Sequence, residues 1–102
     1  MRFAQVFRYT LDLDQEEYAE RWASYAHDVS EVPGLLSKTW MADFETKTFA
    51  SFYVWRSKED ADRFMASDLI ARVAREPFLK DLSITTLPIM ENPSRITRGL
   101  SA

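Results

Sequence analysis

Residues 2–9 alternate: Phe3, Gln5, Phe7 and Tyr9 fall on one side, and Arg2, Ala4, Val6 and Arg8 on the other. Alternation belongs to an extended chain whose successive side chains point to opposite faces, so the segment is predicted to be a strand. From 14 to 31 the period changes. Tyr18, Trp22, Tyr25, Ala26 and Val29 recur at helical steps and make one apolar stripe. Asp14 followed by Glu17 reads as a capping box, and both carboxylates favour the positive end of a helix. Val32-Pro33-Gly34 stops it, since proline cannot continue the hydrogen-bond ladder and glycine tolerates a left-handed turn.

Leu35 to Ala42 reads as a second strand, with Leu36, Lys38 and Trp40 opposite Leu35, Ser37, Thr39 and Met41. After a polar hairpin connection, Asp43 to Lys47, comes the strongest strand, Thr48 to Trp55. Phe49, Ser51, Tyr53 and Trp55 face one way and Thr48, Ala50, Phe52 and Val54 the other, so both faces are largely apolar. A half-solvated sheet shows one polar face, which implies that something packs on each side of this one. Ser57 and Asp60 form another capping box, opening a helix with Ala61, Phe64, Met65 and Leu69 inward. The apolar phase drifts after Ala66, where Ser67-Asp68 can restart a shorter helix through Leu69, Ile70 and Val73 as far as Pro77. In the last strand, 82–90, Leu82, Ile84 and Thr86 alternate with Ser83, Thr85 and Leu87. Pro88 has no N–H to give, so this strand must lie at an edge or break there. A polar tail from Glu91 to Ala102, carrying Arg95 and Arg98, follows.

The order β-α-β-β-α-β predicts one α+β domain over 1–102, with 91–102 an extension. Its architecture is ferredoxin-like: a four-stranded antiparallel sheet with two helices on one face. The other face is left bare. Large apolar patches seldom stay exposed on soluble monomers, so a homodimer packed sheet against sheet is expected.

Composition removes most other chemistries. The 102 residues contain no cysteine, which excludes disulfides, thiolate metal sites and a thiol nucleophile. A net charge of −3 argues against a nucleic-acid surface. No signal peptide or apolar run of membrane length is present, so a cytoplasmic protein is expected, with no membrane partner. Only two glycines occur, neither in a phosphate-binding loop, and no nucleophile elbow appears. The single histidine, His27, falls on the helix face opposite Tyr18 and should meet solvent. The acidic run Asp12, Asp14, Glu16, Glu17 and Glu20 is accounted for by capping and a solvated face.

Aromatic residues make up 14% of the chain. On shared strand faces, Gln5, Phe7 and Tyr9, Lys38 and Trp40, and Ser51, Tyr53 and Trp55 form one wall facing Tyr18, Trp22, Phe64 and Met65. This wall is either core or the lining of an apolar cleft with a few converging donors, as small-ligand pockets are built. Buried Gln, Ser and Tyr groups favour the cleft, because each one left unpaired costs about 1–3 kcal/mol.

The stretch Glu31-Val-Pro-Gly-Leu-Leu-Ser-Lys-Thr-Trp40, the segment Phe52-Tyr-Val-Trp-Arg-Ser57, the helix from Ala61 and the tail Glu91-Asn-Pro-Ser-Arg-Ile96 together resemble the YdhR-like monooxygenases. These belong to the dimeric α+β barrel superfamily, the antibiotic-biosynthesis-monooxygenase-like proteins. In the anthrone-oxidising relatives an Asn and a Trp stand four residues apart on strand three. Here those positions hold Ser51 and Trp55, and a helix-two tyrosine is replaced by Ala61. The Asn, Trp and His of the haem-degrading relatives are Phe7, Phe64 and Ala74, which argues against that chemistry. The resemblance implies a monooxygenase without cofactor or metal, acting on an electron-rich anthrone, phenol or quinol with molecular oxygen. Its catalytic candidates are Trp55, Ser51 and Tyr53. Gln5, Phe7, Tyr9, Lys38, Trp40, Trp22, Phe64 and Met65 would contact substrate. A non-catalytic aromatic-binding or structural dimer module remains the alternative.

Overall fold

A computed structural model describes residues 1–100; the final two residues of the expected extension lie outside the described residues. The elements run β1 (Phe3–Leu11), α1 (Gln15–Ser30), β2 (Leu35–Asp43), β3 (Thr48–Trp55), α2 (Lys58–Met65), α3 (Asp68–Ala74), β4 (Leu79–Pro88) and α4 (Glu91–Ile96). All strand pairs are antiparallel and the sheet order is β2-β3-β1-β4, the ferredoxin-like arrangement. β4 pairs with β1 alone, which is why Pro88 can sit in it.

The helices begin where side chains replace the missing backbone acceptors. Asp14 accepts from the Glu17 N–H at 2.8 Å, Ser57 from Asp60 at 3.2 Å and Ser67 from Ile70 at 3.4 Å. Ser67 also explains why the second helical region is broken into α2 and α3. Trp22 and Val29 of α1, Ala61 and Phe64 of α2 and Leu69 of α3 pack with Phe7, Tyr9 and Leu11 of β1 and Phe49, Tyr53 and Trp55 of β3. All three helices therefore cover one sheet face. His27 is exposed, as its phase on α1 requires.

Three local features depart from simple alternation. In β2 the register slips between Leu35 and Ser37, so Leu36 is the extra residue of a bulge. Leu35, not Leu36, therefore packs on the core, and Leu36 is 52% exposed. β4 slips opposite Tyr9, at an Asp81 with φ of 55°, and the strand starts at Leu79 rather than at 82. The tail is not all irregular: α4 forms without a side-chain cap, its Pro93 tolerated because first-turn N–H groups have no helical acceptor.

The opposite sheet face is open. Val6 and Phe52, neighbours across β1 and β3, are 37% and 39% exposed, with Leu87 and Met41 towards either edge.

One buried carboxylate ties the start of α2 to the turn just before β2. Asp60, 3% exposed, accepts from Ser57 Oγ at 2.8 Å, Arg63 at 2.9 Å and Arg56 Nε at 3.1 Å. It packs against Gly34, where φ is +84°. The Ser57 hydroxyl, then the guanidinium groups, hold its pKa below the usual 3.8. A folded value below the unfolded one contributes stability that is complete above the unfolded pKa and lost as pH falls through the folded one. Asp60→Asn is therefore expected to flatten the acid limb of the Tm-against-pH curve, measured from pH 6 downward. An unchanged limb would mean that Asp60 makes no pH-linked contribution.

Candidate active site

β1 brings Phe7 and Tyr9, and β3 brings Ser51 and Tyr53, to the covered face of the sheet. β2 adds Lys38 and Trp40, α1 adds Trp22, Tyr25 and Val29, and Phe64, Leu69, Ile70 and Val73 close the far side. These walls enclose a cavity of about 30 Å³. That is room for a water, or for a molecule the size of dioxygen, and too little for an aromatic ring. Phe7 and Tyr53 meet at 4.9 Å between ring centres, and Tyr53 and Phe64 at 5.5 Å. Beside the cavity a groove of about 280 Å³ runs between α1 and β2, and Val29, Lys38 and Trp40 wall both spaces.

The polar groups are few. Ser51 and Trp22 present donors to the Tyr9 hydroxyl, which favours its ionised form, but burial outweighs them and keeps its pKa above the ordinary value. Burial, reinforced by Tyr9, raises Tyr53 further. Tyr25 is also raised, first by burial and then by Glu76, whose carboxylate accepts its hydroxyl at 3.5 Å. All three tyrosines are neutral at pH 7. Lys38 is different: its Nζ lies 3.4 Å from the centre of the Trp40 ring and 4.5 Å from that of Tyr53. Burial pushes its pKa from 10.5 down to about 7.

Three of the expected site residues stand apart from the cavity. Trp55 is fully buried, its indole N–H donating to Gln5 Oε1 at 3.0 Å, while Gln5 Nε2 donates to Thr86 Oγ1 at 3.0 Å. The buried Gln5 is thus paired within the core, so its presence is no argument for a cleft. Met65 is a partly buried neighbour of the core and is not on the cavity wall. Phe7, Tyr9, Trp22, Lys38, Trp40, Ser51, Tyr53 and Phe64 are brought together. Tyr25 and Val29, which the sequence places on the α1 stripe but not among the site candidates, also wall the cavity; Leu69, Ile70 and Val73 come from the restarted helix.

The family model described as "Putative mono-oxygenase ydhR" matches residues 5–100. The chain belongs to this family. Among solved structures, it is similar to SnoaB, a cofactor-independent oxygenase from Streptomyces nogalater, at 15% identity and a TM-score of 0.71, covering 89% of this chain and 95% of that one. PA3566 from Pseudomonas aeruginosa superposes at a TM-score of 0.69 with 18% identity, covering 87% and 94%. A MhuD mutant holding two manganese protoporphyrin IX per active site does so at 0.67 with 18% identity, covering 88% and 96%. At these identities the likeness shows a common fold. No curated protein matches the sequence significantly. Within the ydhR fold this chain places Ser51 on the cavity wall, while Trp55, four residues on, is buried in the core against Phe64 and Gln5.

Proposed function

We propose that this ydhR-family protein is a monooxygenase that oxidises a small electron-rich aromatic, of anthrone, phenol or quinol type, with dioxygen and without a cofactor. The observation that carries the reading is a chamber with aromatic walls on which, among the described residues, Lys38 is the one basic side chain. Such a site suits a substrate that becomes an anion: rings hold it flat, water is excluded, and the Ser51, Tyr9 and Tyr53 hydroxyls supply donors to developing negative charge. Trp55 would serve from behind, stacked on Tyr53 at 5.8 Å with ring planes 6° apart. Because the cavity holds no ring as it stands, entry requires Lys38 and Trp40 to turn aside and join it to the groove. Oxygen uptake with anthrone or a hydroquinone, against a protein-free blank, tests this. Uptake above the blank that Ser51→Val, which takes up the cavity with two methyl groups and removes the hydroxyl, abolishes is the expected result.

The cavity's small volume favours a second reading, a non-catalytic binding or structural dimer. Uptake at the blank rate, with or without Ser51→Val, decides for it.

The open sheet face supports the partner. A second copy packed there would cover Val6, Phe52 and Leu87 together, as a patch of this kind demands. Phe52→Lys should convert a sedimenting dimer into a folded monomer. Sedimentation of the wild type as a monomer would remove the dimer from the reading.

A further inference from the structure

Lys38 stands out from every other cation in the chain. The remaining lysines and arginines in ion pairs lie at the surface, as Lys58 does with Asp62 at 2.8 Å. Lys38 has the Trp40 and Tyr53 rings beside it and, among the described residues, no ion-pair partner, and it walls both the cavity and the groove through which a substrate would come. The groups facing it from each packed element are neutral. β3 offers Tyr53 and Ser51, and β1 offers Tyr9. α1 offers Trp22, Tyr25 and Ser30, and α2 and α3 offer only apolar side chains. Among the described residues that wall these spaces there is neither an aspartate, a glutamate nor a histidine to take a proton.

Resting on the oxygenase reading, we propose that Lys38 is the general base of the reaction, its uncharged amine removing the proton that makes the bound aromatic an electron donor. For a ring-activated methylene the steps balance. The C–H proton passes to Lys38 Nζ, leaving a carbanion delocalised into the rings. One electron moves from it to dioxygen, and the radical pair closes a C–O bond. The Lys38 ammonium returns its proton to the distal oxygen, giving a hydroperoxide. Loss of water from that hydroperoxide leaves a carbonyl. In sum, R2CH2 and O2 become R2C=O and H2O. The substrate loses four electrons, and one oxygen atom is kept.

Burial supports the protonation state required, since an amine with a pKa of about 7 is half free at neutral pH, whereas an exposed lysine is almost wholly protonated. The Trp40 and Tyr53 faces favour the ammonium once it forms, which suits a base that must hold its proton briefly.

Two measurements test the proposal. The first needs no substrate. A folded pKa below the unfolded 10.5 means that the unfolded chain binds more protons between about 7 and 10.5. Wild-type Tm should therefore rise with pH through that window relative to Lys38→Met, and the variant should melt higher at pH 6. Parallel curves overturn the proposal. The second follows anthrone conversion to the quinone. Lys38→Met and Lys38→Arg should each lose about 100-fold or more in kcat, and the wild-type rise in rate with pH near 7 should vanish. Arginine keeps the charge but cannot accept a proton, so Lys38→Arg with wild-type rate and pH profile overturns the base role while leaving the oxygenase intact. A wild type no faster than buffer overturns both together.

Discussion

Replacing Gly34 by alanine is expected to destabilise the protein by about 2–5 kcal/mol, the sum of two independent penalties. The backbone there has φ of +84°, a conformation that costs an L-residue of order 1–2 kcal/mol. A methyl group would also collide with the Asp60 carboxyl, which cannot withdraw because Ser57, Arg56 and Arg63 fix it. For a chain of this length the loss corresponds to a fall in Tm of roughly 10 °C or more, readable in a thermal melt. Combining Gly34→Ala with Asp60→Ala separates the penalties. If the collision matters, the double variant loses less than the two single losses added together. A Gly34→Ala protein melting with the wild type would show that neither penalty operates.

The second large effect concerns Trp55. From sequence it is a catalytic donor, and Trp55→Phe should slow oxidation at least tenfold without unfolding. The geometry adds an expected loss of stability. The indole N–H is committed to Gln5, so phenylalanine strands a buried carbonyl oxygen and leaves a void, at about 1–3 kcal/mol for the orphaned acceptor alone. Gln5→Leu in the same chain removes the orphan and should recover much of the loss, seen as a denaturation midpoint moving back towards wild type. If Trp55→Phe melts normally but oxidises slowly, the indole acts on substrate after all.

The two strands at the centre of the sheet were legible because β1 and β3 alternate cleanly and are paired on both sides. The Ser67 restart was legible because a cap announces itself. The Leu36 bulge was not: a single extra residue reverses the sides of Leu35 and Leu36 while leaving Lys38 and Trp40 in phase, and composition carries no mark of it. α4 was hidden by Pro93 and by an N-cap, Met90, that offers no acceptor. At the site, side-chain type identified the wall but not the division of labour along it. Gln5 and Trp55 share a face with Phe7 and Tyr53, and only the three-dimensional packing places the first pair in a closed hydrogen-bond chain beyond the cavity. Lys38 is visible as a wall residue, yet the lack of a carboxylate among the described residues of those walls depends on contacts that no spacing encodes.

The Asp60 anchor has a mechanical consequence. Through Gly34, whose carbonyl also accepts from the Arg56 N–H at 2.8 Å, it locks the first turn of α2 to the start of β2. Once Lys38 and Trp40 turn aside, any further widening of the chamber must come from its other wall, the short helix beyond the Ser67 break, which contributes Leu69, Ile70 and Val73. Amide hydrogens of 69–74 should then exchange faster than those of 58–65, making α3 the yielding wall and the glycine–aspartate contact its fixed frame.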